Sequence, residues 1–354
     1  MKVFLPLLKS SNSFLDELEK EFYGDFIYDY YENIDQHEID IINIHWPESV
    51  FINNNYDYEK FKQWLTEIRK KIPVVYTRHN SVPHRIVNQD SKEFNDFMNV
   101  NCDAVHHFGK FSLSEHKSLY PDYDGLHKVI PHPYYTALKN DTDFAQARYK
   151  LGIQKDKKVI LVFGTIRNDA ERHFILDFFD SLQLKNSVLL VPNFGYFQAN
   201  KILNIIRLGT VYSKLKTFFY KRKNRILGST YIAEDDIQYY FKACDILFIP
   251  RVKALNSGVL SLGLTFNTKI VAPEAGNITE FVKNDNIIYR KDNLGQLRQK
   301  IIDLILLNKP TEPDDHEKES FHPKKISSSL RDFFSIVIEN HRKSIERLSI
   351  SKSE

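Results

Sequence analysis

The sequence predicts an α/β protein built from two similar parallel-sheet domains, and three observations carry that expectation. Short apolar runs alternate with helix-compatible segments along most of the chain. Several of these runs, such as DIINI at residues 40–44, are mostly apolar without strict alternation, the pattern of strands covered on both faces. The runs also empty into polar clusters, and in open α/β sheets the C-terminal strand ends are where ligands bind. With 354 residues, 42% of them hydrophobic and 13% aromatic, the chain is long enough to build two such cores.

In the first third, strands are expected at 3–8, 25–30, 40–44, 73–77, 103–107 and 128–131, with helices at 13–22, capped by Ser13, and at 58–71. The strand at 40–44 ends in His45-Trp46-Pro47-Glu48, and the strand at 73–77 ends in Arg78-His79-Asn80-Ser81-Val82-Pro83-His84. The strand at 128–131 runs into His132-Pro133-Tyr134-Tyr135. Residues 139–157 are charged and glycine-poor and read as a linker leading into the second domain.

A new strand at 158–163 ends in Gly164-Thr165-Ile166-Arg167, followed by a helix at 170–184, a strand at 187–191 and a helix at 235–244. The strand at 245–249 stops at Pro250, and the loop beyond it closes in Asn256-Ser257-Gly258 before an apolar helix at 259–264. A strand at 269–272 then ends at Pro273. A faint internal echo links the halves, since Cys102-Asp103 and Cys244-Asp245 each lead into a strand. The expected domains are therefore 1–140, 141–310, and a polar connection with a terminal helix at 311–354 that crosses back to the first domain by analogy. Two Rossmann-like domains would face each other across a cleft.

Composition narrows the function. A formal net charge of +3 is too small to argue for nucleic acid. Only Cys102 and Cys244 are present, so no disulfide framework is implied and a reduced, cytoplasmic setting is the default. The apolar run at the N-terminus is too short for a signal peptide, and no stretch could span a bilayer.

Charge is uneven, however, because residues 201–233 contain no acid. Over 201–225, Lys201, Arg207, Lys214, Lys216, Lys221, Arg222, Lys223 and Arg225 accompany Ile205, Leu208, Tyr212, Leu215 and Phe219 at helical spacing. This basic amphipathic helix suits the inner face of an anionic cytoplasmic membrane, each nearby Lys or Arg contributing about 1 kcal/mol. The competing reading is a helix packed on its own domain with solvated charges.

The loop at 256–258 has its own chemistry. Asn256 or Ser257 can cap the helix that follows, leaving backbone amides beside Gly258 as an anion site of the kind that holds phosphate. No His/Asp/Glu spacing looks like a metal site, because His106 and His107 are adjacent and diverge on a strand.

In this order and spacing, the motifs around Gly164, Arg167, Asn256-Ser257-Gly258 and Glu274-Ala275-Gly276-Asn277 with Glu280 resemble the donor half of GT-B glycosyltransferases. The motifs at His45 to Glu48, Thr77 to His84 and Ile130 to Pro133 resemble the acceptor half of bacterial enzymes that build capsules, exopolysaccharides and O-antigens. The resemblance implies transfer of a sugar from a UDP- or GDP-linked donor to a glycan, polyprenyl-diphosphate-linked, with no metal or other cofactor. It implies that Arg167 and the amides of Ser257-Gly258 meet the diphosphate, with Gly164, Asn256, Glu274, Asn277 and Glu280 around the donor and His45, Trp46, Asn80 and His132 on the acceptor side. Arg172 or Arg251 is the candidate second cation, standing in for a lysine that the family carries and this chain lacks.

Many retaining members also carry two glutamates, where this chain has Ala254 and Leu262. Their absence favours inversion, which needs one general base, and Glu48, His79 and His84 are the candidates. A catalytically silent nucleotide-sugar or glycan-binding subunit of the same fold is the alternative.

Overall fold

The computed structural model describes residues 1–9, 12–51, 57–82, 89–195, 217–229, 232–283, 286–307 and 315–350, with the backbone alone at 48–49, 89, 91, 315–317 and 348–350. Strands β1 (Lys2–Leu5), β2 (Asp25–Tyr28), β3 (Ile41–Ile44), β4 (Val74–Arg78), β5 (Ala104–His107) and β6 (Leu126–Val129) form a parallel sheet in the order β2-β1-β3-β4-β5-β6. Strands β7 (Lys158–Leu161), β8 (Ser187–Val191), β9 (Arg225–Leu227), β10 (Ile246–Phe248), β11 (Ile270–Pro273) and β12 (Ile287–Tyr289) form a second parallel sheet, ordered β12-β11-β10-β7-β8-β9.

Among the described residues the helices include α1 (Ser13–Glu21), α2 (Tyr58–Ile68), α3 (Gln89–Val100), α4 (Lys110–Leu119), α5 (Phe144–Lys150), α6 (Asp169–Leu182), α7 (Glu234–Ala243), α8 (Gly258–Thr265), α9 (Ile278–Phe281), α10 (Arg298–Leu306), α11 (Asp315–Ser320) and α12 (Pro323–Ile350). The chain divides into two compact units: Met1–Pro133 with Ala254–Asn256 and Asp315–Glu354, and Tyr134–Lys253 with Ser257–Asp314.

The first unit buries Phe4, Ile42, Ile44, Val74 and Tyr76 from its strands against Phe61, Leu65, Phe94 and Met98 from α2 and α3. The terminal helix α12 packs on α1, where the Ser327 hydroxyl donates to the Leu18 carbonyl at 3.1 Å and Phe334 meets Phe22. In the second unit Ile160, Leu189, Phe248 and Val271 pack with Ile175, Phe178 and Phe179 of α6, and the Phe178 and Phe248 rings stack at 3.7 Å.

The Cys-Asp echo is a structural device used in both sheets. Asp103 accepts the Val74 amide at 2.8 Å and the Arg69 guanidinium at 3.0 Å, tying β5 to β4. Asp245 accepts the Val159 amide at 2.7 Å and Arg148 at 2.8 Å, tying β10 to β7.

Several local expectations are corrected. Asn12, not Ser13, caps α1, because its carboxamide oxygen accepts from both the Phe14 and Leu15 amides. Strand β6 begins two residues earlier than the sequence suggested, set by its pairing of Ala104 with Leu126. Residues 139–157 are not a simple linker: α5 forms there, closed by an Asp143–Gln146 capping box and anchored by the buried Arg148.

The basic helix expected over 201–225 lies outside the described residues from 201 to 216; residues 217–220 are helical. Arg225 instead opens β9, and both Asp180 oxygens hold its guanidinium, at 2.8 and 2.7 Å, which withdraws it from any lipid surface. Among the described residues no helix is long and apolar enough to cross a membrane.

Candidate functional site

Strand order reverses between β7 and β10 in the second sheet, and the loops leaving these two strands diverge from that point. A pocket of about 270 Å³ opens there, lined by Arg167, Asn168, Glu171 and Phe174 from the β7 side, Pro250 to Lys253 from the β10 side, and Lys291 from beyond β12. Four cationic side chains thus surround one acid.

The loop geometry is fixed by short polar bonds. The Arg167 amide donates to Glu171 at 2.7 Å, and Arg251 donates to the Thr165 carbonyl at 2.8 Å while meeting Glu171 at 3.4 Å. Arg251 Nε is buried without a hydrogen-bond partner among the described residues. Burial first, and the neighbouring Arg251 charge second, lower the pKa of Arg167. Two guanidinium groups held together in a half-buried site repel, and with Lys253 and Lys291 beside them the single acid Glu171 offsets only part of the charge, so the pocket suits an added anion.

Glycine lets the loop approach the nearby helix. Gly164 sits at φ +88°, and a Cβ there would fall 3.0 Å from the Val259 side chain. Ser257 caps α8, its hydroxyl accepting the Leu260 amide at 3.3 Å, which leaves the first-turn amides at Gly258 in the same unit. Asn256 belongs to the first unit, and its amide donates to the His79 carbonyl at 2.8 Å.

In the first sheet the order reverses between β1 and β3. The residue after β3, His45, is buried among Asn43, Thr77 and His106. Burial, then the His106 charge, lowers its pKa to about 3. His45 Nδ1 lies 3.0 Å from His79 Nε2, and Trp46 stacks on His79 with ring centroids 4.4 Å apart. Phe14 from the start of α1 touches His45, His79, Phe108 and His132, so five chain segments converge on one cluster of rings. His132 Nδ1 donates to the Pro133 carbonyl at 2.9 Å, and burial lowers its pKa to about 4.

The expected residues therefore fall into two groups. Arg167 and Arg251 share the pocket, with Gly164 and Ser257-Gly258 at neighbouring strand and helix ends, while His45, Trp46, His79 and His132 share the ring cluster. Asn80 follows His79 and is half-buried. Arg172 is not a wall of the pocket: its guanidinium is buried, donating to the Phe194 carbonyl at 3.1 Å and to Asp169 at 3.0 Å. Glu274 is exposed and meets Arg290 at 3.6 Å, Asn277 is buried ahead of α9, and Glu280 lies within α9. His84 and the Glu48 side chain lie outside the described residues. Glu171, Lys253 and Lys291 line the pocket without having been singled out in the sequence. Among the described residues no group of three His, Cys, Asp or Glu is arranged to hold a metal ion.

No protein-family model matches the sequence, and no curated protein matches it. Solved structures do match its shape. A sucrose-phosphate synthase from Thermosynechococcus elongatus superposes with a TM-score of 0.59 at 12% identity, covering 99% of this chain and 100% of that one. Anabaena HepE (Alr3699) in complex with UDP-glucose gives 0.56 at 14% identity over 98% and 99% of the two chains. A UDP-forming trehalose-phosphate synthase from Burkholderia xenovorans gives 0.52 at 14% identity, covering 87% and 75%. With two parallel six-stranded sheets and likeness to these structures over nearly its whole length, the chain has the GT-B fold.

Proposed function

We propose that the protein is a glycosyltransferase that moves a sugar from a nucleotide-diphosphate sugar to a glycan acceptor. The observation that carries this reading is the cationic pocket at the β7/β10 reversal, where Arg167 and Arg251 lie together beside Lys253 and Lys291. Breaking the glycosidic bond leaves negative charge on a nucleoside diphosphate, and fixed guanidinium groups stabilise that charge as it develops, without a metal. HepE, which shares the fold, was captured with UDP-glucose, which supports UDP as the nucleotide to try first.

The finer reading is a role in surface polysaccharide synthesis with a polyprenyl-diphosphate-linked acceptor, at the inner face of the cytoplasmic membrane. Its support is local: Phe218 and Phe219 are exposed, and exposed Lys221 and Lys223 follow. Transfer would proceed with inversion, since Ala254 and Leu262 supply no carboxylate, and a single base from Glu48, His79 or His84 would take the acceptor proton. That same lack of carboxylates favours a second reading, a silent subunit that binds nucleotide sugar or glycan.

Release of nucleoside diphosphate from UDP- and GDP-sugars, with a lipid-linked glycan as acceptor, separates the two. Turnover in the wild type that nearly vanishes in Glu48→Gln, with nucleotide binding retained, supports the enzyme with Glu48 as base. Wild-type turnover in Glu48→Gln removes Glu48 from that role. Binding without turnover for every donor and acceptor supports the silent subunit.

A further inference from the structure

The cationic pocket at the β7/β10 reversal has one acid among its lining residues, Glu171. Glu171 lies in the first turn of α6, where its amide donates to the capping Asn168 side chain at 2.9 Å. Its carboxylate reaches back toward the two arginines: one oxygen accepts the Arg167 amide at 2.7 Å, and the other meets the Arg251 guanidinium at 3.4 Å. The side chain is only 11% exposed, so water screens its charge weakly. That charge is felt at the Arg167 guanidinium and at the buried Tyr289, whose phenol pKa is raised by burial first and by Glu171 second. An anion that joins Arg167 to Arg251 must therefore approach Glu171.

The approach matters because a nucleotide sugar and the nucleoside diphosphate it leaves behind differ by one charge. In the nucleotide sugar both phosphates are linked on two sides, and each carries a single negative charge. Once the sugar is gone, the terminal phosphate has a second ionisation near about pH 6 and at pH 7.5 carries one charge more. Arg167, Arg251, Lys253 and Lys291 favour the more highly charged ligand, so alone they would hold the product more tightly than the donor. Glu171 opposes that bias.

We propose that Glu171 is a specificity-determining residue whose charge shifts the pocket toward a diphosphate esterified at both ends, as in a nucleotide sugar, and against one with a free terminal phosphate, so that it favours release of the product. This role rests on the reading of the pocket as the donor site. Across roughly 5 Å in a weakly screened pocket, one added charge is enough to change affinity about tenfold.

The test is calorimetric titration of UDP and of UDP-glucose into the full chain at pH 7.5, with the GDP pair used where UDP does not bind. The quantity read is the Kd of the nucleotide sugar divided by that of the nucleoside diphosphate. Glu171→Gln keeps an oxygen to accept the Arg167 amide and removes the charge, so UDP should bind more tightly and the ratio should rise about tenfold. Glu171→Asp keeps the charge and should hold the ratio within about threefold of wild type, even where both affinities fall. Glu171→Ala removes charge and brace together; the ratio should rise again, and this variant serves if Glu171→Gln does not fold.

An unchanged ratio in Glu171→Gln, or an equal weakening of both ligands, overturns the proposal and makes Glu171 a brace for the Arg167 loop alone, with the donor site intact. Binding of neither ligand class to the wild type refutes the donor site itself and the role of Glu171 with it. The expected ratios in a chain without turnover would refute the enzyme reading and leave the charge selection standing. Where turnover is seen, the Ki of UDP as product inhibitor should fall about tenfold in Glu171→Gln while the KM of the donor changes less; equal changes in the two constants count against the proposal.

Discussion

Arg251→Ala tests the proposal that the β7/β10 pocket holds the donor's phosphates, through a group whose free-state bonds are modest. In the free protein Arg251 donates to the Thr165 carbonyl and meets Glu171, and its side chain is 31% exposed. Removing it also relieves its repulsion with Arg167, so the free protein should change by only about 0–1 kcal/mol. With a diphosphate bound, the same change deletes a charge-assisted hydrogen bond worth about 1.5–3 kcal/mol. That corresponds to a rise in Kd of about 10–150-fold.

At ligand equal to 100 times the wild-type Kd, binding adds about 2.7 kcal/mol of stability; with Kd raised about 30-fold it adds about 0.9 kcal/mol. A thermal-shift titration with UDP reads this directly, as the ligand-induced rise in Tm should fall to about one third. An equal ligand-induced rise in wild type and variant would refute the assignment of Arg251 to the phosphate. So would a large loss of Tm in the free variant, which would make Arg251 a structural residue.

Other regions give independent predictions. Asp245→Asn leaves the 1%-exposed Arg148 guanidinium without its counter-charge and should destabilise the second unit by about 3–5 kcal/mol, read by calorimetry of the full chain. Gly164→Ala forces a side chain into φ +88° and toward Val259, so a loss of about 1–2 kcal/mol is expected together with weaker nucleotide binding.

The first unit should be acid-sensitive. Burial lowers the pKa of His45 to about 3 and those of His106, His116 and His132 to about 4, below the ordinary 6.5. The unfolded chain therefore binds more protons, and stability that is complete above pH 6.5 is lost as pH falls toward 4, by up to about 1.4 kcal/mol per histidine per pH step. The chain has two tryptophans, Trp46 and Trp64, both in the first unit, so tryptophan fluorescence in urea at pH 7 and pH 5 reports this unit selectively. Equal midpoints at the two pH values would contradict the prediction.

What could be read in the sequence follows physical lines. The central strands announce themselves because both faces are covered and their residues are continuously apolar, as in β10 and β11. Arg167 was singled out by the resemblance of the segment after the strand at 158–163, and Ser257-Gly258 because it opens a helix. Helix α5 was hidden because its anchor, Arg148, looks like surface charge until Ala243 and Asp245 are brought to it by the fold. Strand β9 has three residues, too few for any period, and its basic neighbours read as helix. Lys291 reaches the pocket only because β12 lies beyond β11 and β10 in the sheet. Asn43 was read only as part of the apolar run DIINI, and its bond to Thr77 exists only once β4 is laid beside β3.

Calorimetric titration of UDP-, GDP-, CMP- and dTDP-sugars into the full chain addresses the central claim most directly. The account predicts that one of these donors binds at one site per chain, and that Arg167→Ala removes most of that affinity while the protein stays folded. Binding by none of them, or equal binding to the Arg167→Ala chain, would contradict it.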